Sequence, residues 1–171
     1  VMIEFLRNKG SKAYNEISEI ATTPNLLFSN DRGQCQAEAN YNLYTIQKIN
    51  KLIKKSNVSI AELEQTFSFV EVSWTAYLRK HFRDKAFVFY IWGDYQIPAV
   101  RLSVVSYYEG MELPFGCILK KVNLMDLFRE YIEKAQFDGI PISEGSECGG
   151  EDVDEKASSY VLNVYSNIIK C

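Results

Sequence analysis

Apolar positions fall into two textures along this chain. Up to about residue 84 they recur at three- and four-residue steps; from Ala86 onward they bunch into aromatic and β-branched runs. The first texture predicts amphipathic helices and the second predicts strands. Short helices are expected over 1–9 and 11–21, split by Gly10, with Met2, Ile3, Phe5 and Leu6 equally suited to a strand. TTPNLLFSNDRGQ, residues 22–34, carries Pro24, Asn30, Asp31 and Gly33 and reads as a loop. A helix is expected from about Gln36 to Ser56, because Ala39, Leu43, Ile46, Ile49, Leu52 and Ile53 share one face while Lys48, Lys51, Lys54 and Lys55 occupy mainly the other.

SIAELEQTFSFVEVSWTAYLRKHF, residues 59–82, reads as two helices joined by a turn at 68–72. Ser59 and Glu62 have capping-box spacing, in which a hydroxyl and a carboxylate satisfy each other's backbone donors. Ser73 stands as a second cap before Trp74, Tyr77, Leu78 and Phe82. Beyond it, AFVFYIW (86–92) reads as a strand, Gly93-Asp94 as a turn, and 95–108 as a second strand, with Pro98 at a start, edge or bulge. Residues 112–122 give a third strand. Asn123 then caps a helix whose face carries Leu124, Leu127, Phe128, Tyr131, Ile132 and Ala135. The segment 157–170 fits a helix through Ala157, Val161, Val164 and Ile168, and a strand through its β-branched content. The expected class is α+β: a helical N-terminal half followed by a small antiparallel sheet with one or two packed helices. The expected division is a helical subdomain, 1–85, and an α+β subdomain, 86–171, able to form one compact domain.

Composition bounds this picture without sharpening it. Of the 171 residues 47% are hydrophobic and 24% charged, which is ordinary for a soluble globular protein. No window has the roughly 18 uninterrupted apolar residues of a membrane span. The N-terminal VMIEFLRNKGSKAYNE lacks the basic-then-apolar layout of a secretory leader, so a cytoplasmic location and no membrane partner are expected. Charge is uneven: residues 48–85 hold eight basic side chains against four carboxylates, a net of +4, leaving −7 for the rest of a chain whose total is −3. That asymmetry suits an anionic partner in the middle and a basic one elsewhere, or simply a solvated helix face.

Candidate chemistry is sparse. Cys35, Cys117, Cys148 and Cys171 include no pair spaced for a zinc ribbon. The acidic stretch 144–155 fails the EF-hand pattern, because counting from Asp152 places Lys156 at the fifth position, where an oxygen ligand belongs. Its glycines sit among carboxylates that would repel a phosphate. His81 is the sole histidine, and a catalytic dyad would need the fold to bring a cysteine to it. A helix-turn-helix over 59–82 would offer Arg79, Lys80 and Arg83 to phosphates. Its turn is long, however, and its second helix opens on Trp74 and Thr75 rather than on a base-reading residue. DNA is thus a possible partner but not the favoured one, and a protein is preferred.

QAEANYNLYTIQKI (36–49) resembles the helix carrying an acidic-x-x-Ala-Asn signature in the ImmA/IrrE-type metallopeptidases, which cleave phage and mobile-element repressors. Residues 59–82 are similar to the helical segment that follows it there, and with NEISE (15–19) the resemblance spans about residues 14–85. The family's zinc site is His-Glu-x-x-His, two histidines one helical turn apart with a glutamate as general base. Here Asn15 and Glu19 stand where the histidines belong, only Glu16 keeps its type, and Gln36 replaces the third-ligand acid. The resemblance therefore implies a relative without its metal, with no catalytic residues and no cofactor. The expectation is a non-catalytic regulatory or protein-interaction protein of a bacterial mobile element. Its partner-binding residues would be Trp74, Arg79, Lys80 and Arg83 in the helical half, with Glu147, Glu151, Asp152, Asp154 and Glu155 in the acidic stretch. The alternative is an immunity protein that neutralises a toxin enzyme through 144–155 and the aromatic strands 86–108.

Overall fold

A computed structural model describes residues 12–47, 58–94, 99–114, 118–135 and 161–171. The elements in chain order are α1 (Lys12–Thr22), a single 3-10 turn (Arg32–Gln34), α2 (Cys35–Tyr41), β1 (Tyr44–Gln47), α3 (Ile60–His81), β2 (Ala86–Asp94), β3 (Ala99–Ser106), β4 (Ile118–Lys121), α4 (Leu124–Ala135) and β5 (Val161–Lys170). The class is α+β, as its sequence predicts.

The strands form one five-stranded sheet in the order β1-β3-β2-β5-β4. Neighbours run antiparallel except β4 and β5, which are parallel. Parallel neighbours cannot be joined by a tight turn, and α4 lies in the crossover between them. The expected antiparallel sheet is thus a mixed one.

Alternation along the strands sorts side chains onto two faces. Phe87, Phe89 and Ile91 of β2, Val100, Leu102 and Val104 of β3, Ile46 of β1 and Ile169 of β5 enter the main core. There they meet Ile17 and Ile20 of α1, Leu63, Phe67, Val70, Trp74 and Leu78 of α3, and Leu124, Leu127, Phe128 and Tyr131 of α4. The opposite face holds a smaller core of Val88, Tyr90, Val105 and Val164 under Ala39 of α2, edged by Trp92, Tyr107, Met111, Leu113 and Leu119. Because β2 is covered on both faces, its sequence is a continuous apolar run rather than an alternating one. The main core draws on both sides of residue 85; the Phe28 and Phe87 rings, for instance, lie 4.5 Å apart.

Three helical expectations are met with local causes visible. The Ser59 hydroxyl accepts from Glu62 N at 3.2 Å while Glu62 Oε2 accepts from Ser59 N at 2.8 Å, completing the capping box. Asn123 Oδ1 accepts from Asp126 N at 2.8 Å at the start of α4. The helix expected over 11–21 is α1, and the hydroxyls of Thr22 and Thr23 close its last turn on the Ser18 and Glu19 carbonyls. The loop expected at 22–34 is observed but for its final 3-10 turn.

Other expectations are corrected. Within the described part of the helix expected from Gln36 to Ser56, the helix observed is Cys35–Tyr41, and β1 follows at Tyr44. Asn42 enforces the break: fully buried, its amide accepts from Leu27 N and donates to the Leu27 and Val104 carbonyls, which pins the chain across the sheet. The pair of helices with a turn at 68–72 is one uninterrupted 22-residue helix, α3. SFVEV contains neither Gly nor Pro to stop it, and Val70, Glu71 and Trp74 are all buried by continuing. Ser73 is interior to that helix rather than a cap, and Gly93-Asp94 completes β2 rather than turning it. The ambiguous final segment is a strand from Val161, paired along its length with β2. The strand expected over 112–122 is Ile118–Lys121. The expectations for 1–9, 48–57, 144–155 and Pro98 lie outside the described residues.

Candidate interaction surface

Among the described residues, the two buried carboxylates are committed to holding the fold together. Glu38, 4% exposed, accepts from Ser29 N at 2.6 Å and Ser106 Oγ at 3.1 Å on one oxygen, and from Ser106 N at 2.7 Å on the other. Glu71, 9% exposed, accepts from the Tyr165 hydroxyl at 2.7 Å and the Asn167 amide at 2.6 Å. Burial first, then the hydrogen bond to Glu71 and the charges of Glu71 and Glu64, push the Tyr165 phenol well above its ordinary pKa. The Asn163 amide likewise donates to Glu130 of α4. β5 thus presents Asn163, Tyr165 and Asn167 in alternation toward carboxylates on α3 and α4.

The two described thiols, Cys35 and Cys171, are no more reactive. Burial, then the charges of Glu38 and Asp31, raise the Cys35 pKa, and burial raises that of Cys171. A reactive cysteine needs its thiolate favoured, and both environments favour the thiol. His81 is exposed at the end of α3, its ring 4.5 Å from that of Tyr77.

The positions aligned with a zinc site do not fit the metal. Asn15 and Glu19 are exposed on α1. Gln36 is exposed on α2, where its amide nitrogen donates to Asn40 at 3.2 Å. Ion binding there would need histidine nitrogens or thiolates, and an amide with a surface carboxylate is a poor substitute. The same segment does its structural work with the residues between: Glu38, Ala39 and Asn42 face the sheet.

Among the residues expected to bind a partner, Trp74 is corrected. It is 0% exposed, its indole N–H donates to the Ile20 carbonyl at 2.7 Å, and its ring packs edge-on against Phe89 at 5.6 Å. A partner cannot reach it while the domain is folded. Arg79, Lys80 and Arg83 are exposed and cluster at the C-terminal end of α3. Arg79 Nε donates to the Lys170 carbonyl at 3.3 Å, which brings the end of β5 to the same corner. Lys85 Nζ donates to Asn30 at 2.7 Å. Glu147, Glu151, Asp152, Asp154 and Glu155 lie outside the described residues. Of the aromatic strands assigned to the alternative reading, Phe87, Phe89 and Tyr90 are buried.

What the residue-type search missed is the rest of the outer side of α3. Ala61, Gln65, Ser68, Val72, Ala76 and Arg79 follow one another at steps of four, three, four, four and three, and so lie within an arc of about 80°. This line is diametrically opposite the buried Leu63, Phe67, Val70, Trp74 and Leu78. Ala61, Gln65, Val72 and Ala76 are exposed, Val72 at 67%. From Ala61 to Ala76 the line carries no charge; Glu64 flanks its beginning, and Arg79 and Lys80 stand at its end. Its signal in the sequence is this charge-free helical stripe on the side away from the core. The chain was compared with family models, curated proteins and solved structures, and it matches none of them.

Proposed function

We propose that this chain is a non-catalytic regulatory protein that acts by docking a protein partner on the outer face of α3. The observation that carries this reading is Val72, 67% exposed at the middle of the uncharged line and followed by a basic end. A large apolar side chain left in water costs free energy that a partner recovers, and a basic rim steers an acidic partner to it. The commitment of Glu38 and Glu71 to structural hydrogen bonds favours binding over catalysis. The resemblance of residues 14–85 to the ImmA/IrrE-type peptidases, with amides and carboxylates at the ligand positions, supports reading it as a cytoplasmic protein of a bacterial mobile element. Among the described residues no helix is long and apolar enough to cross a membrane.

A photo-crosslinking residue at Gln65 should capture a protein in cells, whereas the same residue at Glu133, exposed on α4, should not. Ala76→Glu should weaken the capture at Gln65. Equal capture at both positions, or one equivalent of zinc retained by the purified protein together with peptide cleavage, would overturn the reading. A salt-dependent shift of duplex DNA lost on replacing Arg79 and Lys80 with alanine would redirect it to nucleic acid.

A further inference from the structure

Where the short strands β1 and β4 stop, the two edges of the sheet are finished differently. Bonded pairs alternate along an antiparallel ladder, so every second residue turns its N–H and C=O away from the neighbouring strand. Past β1, β3 turns the groups of Val104 and Ser106 outward, and side chains meet them. The Val104 carbonyl accepts from the Asn42 amide, and the Ser106 N–H donates to Glu38. Past β4, the edge of β5 has less cover. Cys171 N donates to the Lys85 carbonyl, which sets Tyr165, Asn167 and Ile169 toward β2 and turns Ser166, Ile168 and Lys170 outward. The Lys170 carbonyl accepts from Arg79 Nε. Among the described residues, no strand or side chain meets the Lys170 N–H or the backbone groups of Ser166 and Ile168.

We infer that this open edge pairs with itself: β5 of a second copy of this chain lies antiparallel on it, about a two-fold axis at Ile168. The surface is separate from the outer face of α3, and the inference does not rest on that face. A row of outward backbone groups calls for an extended strand, because a helix bonds its own backbone groups internally. The register follows from what bounds the row. β4 ends opposite Val164, whose carbonyl accepts from Val122 N at 3.0 Å, so an added strand can reach Ser166 and go no further. With the axis at Ile168, Ser166 faces Lys170 of the second copy and Ile168 faces its counterpart. Each outward residue then exchanges both of its backbone bonds, the Lys170 carbonyl accepting on its second lone pair. An axis at Asn167 would set Lys170 against Val164, where Val122 already lies. An axis at Ile169 would set Ser166 beyond Lys170, where the strand ends.

The side chains suit the same axis. Tyr165 and Asn167 reach Glu71 on the helical side, so alternation puts Ser166, Ile168 and Lys170 on the other. Ile168 is 44% exposed and stands at the axis, where it would pack on its counterpart and leave water. Lys170 is the one charged side chain of the row, of the kind that guards edges against strand addition. It falls at the ends of the paired segment, opposite a hydroxyl rather than another lysine. One short strand pair buries less than the roughly 1,200 Å² of a standard interface, so the dimer should dissociate at micromolar concentration.

Sedimentation velocity of the 171-residue chain, from micromolar to near-millimolar concentration, tests this. A monomer–dimer equilibrium is expected, and Ile168→Lys should raise its dissociation constant at least about tenfold by setting two like charges on the axis. Ser166→Glu, facing Lys170 of the second copy, should lower the constant about threefold or more, and adding Lys170→Glu should reverse the gain. Val72→Glu, on the outer face of α3, should leave the constant within about twofold. Circular dichroism confirms that each variant is folded, and the changes at Ser166 and Lys170 test the register even if Ile168→Lys is not. A chain that stays monomeric throughout overturns the inference; if a photo-crosslinking residue at Lys170 then captures a different protein, the edge has another occupant. A dimer indifferent to Ile168→Lys, one strengthened by Ser166→Glu equally with and without Lys170→Glu, or one lost in Val72→Glu overturns it as well.

Discussion

Glu38 and Glu71 are both buried carboxylates with both oxygens engaged, yet they hold different kinds of partner. Glu38 joins α2 to two stretches of backbone, the Ser29 and Ser106 N–H groups, and so ties the loop before the 3-10 turn to the end of β3. Glu71 joins α3 to β5 through two side chains, Tyr165 and Asn167. Side-chain partners can be removed together with the carboxylate. Backbone donors cannot, and a buried N–H deprived of its acceptor bears the full desolvation penalty. The lesson is that similar burial and similar distances conceal unequal dependence.

The largest expected effect follows from that inequality. Glu38→Ala should lower the free energy of unfolding by about 3 kcal/mol, because it orphans the buried Ser106 N–H, costs the half-buried Ser29 N–H its acceptor and removes a buried side chain. Urea denaturation measures it. A loss below about 1 kcal/mol would mean that water replaces the carboxylate, and the contrast with Glu71 would disappear. Glu71→Ala should cost less, about 2 kcal/mol, since the Tyr165 hydroxyl is only partly buried and can turn to solvent.

The two carboxylates also differ in how far the sequence foretold them. The start of α3 and the whole of α4 are legible, because their caps are local: Ser59 with Glu62, and Asn123 with Asp126, meet within one turn. The sequence reading sets Glu71 in a turn at 68–72, and its role appears only once α3 is known to run straight through and β5 to be a strand. That choice was undecidable within residues 157–170, because the pairing of Phe87 with Ile169 and Ile91 with Tyr165 decides it from outside the segment. Around Glu38 the sequence misleads. Leu43 and Ile46 continue the helical spacing from Ala39, but Asn42 finds three partners far along the chain, and Tyr44 and Ile46 then alternate into the core. The outer face of α3 escaped for the opposite reason: an uncharged exposed stripe contains no residue type that chemistry singles out. Reading Ser73 as a cap also broke that stripe in two.

A sharper test removes each carboxylate together with its partners. Glu71→Leu combined with Tyr165→Phe and Asn167→Leu should lie within about 1 kcal/mol of the unaltered chain, because no buried donor is left without an acceptor and apolar contact is gained. No equivalent exists for Glu38: adding Ser106→Ala to Glu38→Ala removes a hydroxyl but leaves both N–H groups, so it should recover little. If the triple replacement costs as much as Glu71→Ala, then Glu71 contributes through a geometry that packing cannot reproduce, and the distinction between the two sites fails.

The smallest effect is expected in alkali. Tyr165 is held neutral in the fold by burial, by its hydrogen bond to Glu71, and by the charges of Glu71 and Glu64; Tyr90, pushed up to about 12, and Tyr131 are raised chiefly by burial. A phenol whose folded-state pKa is raised contributes stability that is complete below its ordinary value near 10, and that is lost as pH rises through the folded-state value. The melting temperature should therefore begin to fall above about pH 10, while the near-ultraviolet tyrosinate signal lags behind that of the unfolded chain. Glu71→Gln removes the anion beside Tyr165, so one tyrosine should ionise earlier and the alkaline fall in stability should become shallower. Glu38→Gln has no tyrosine bonded to it and should leave the late-titrating class intact, shifting stability by a similar amount across the alkaline range. Identical alkaline limbs in the two variants would show that burial alone governs Tyr165. The Glu71 bridge would then be a packing contact with no electrostatic hold on its strand.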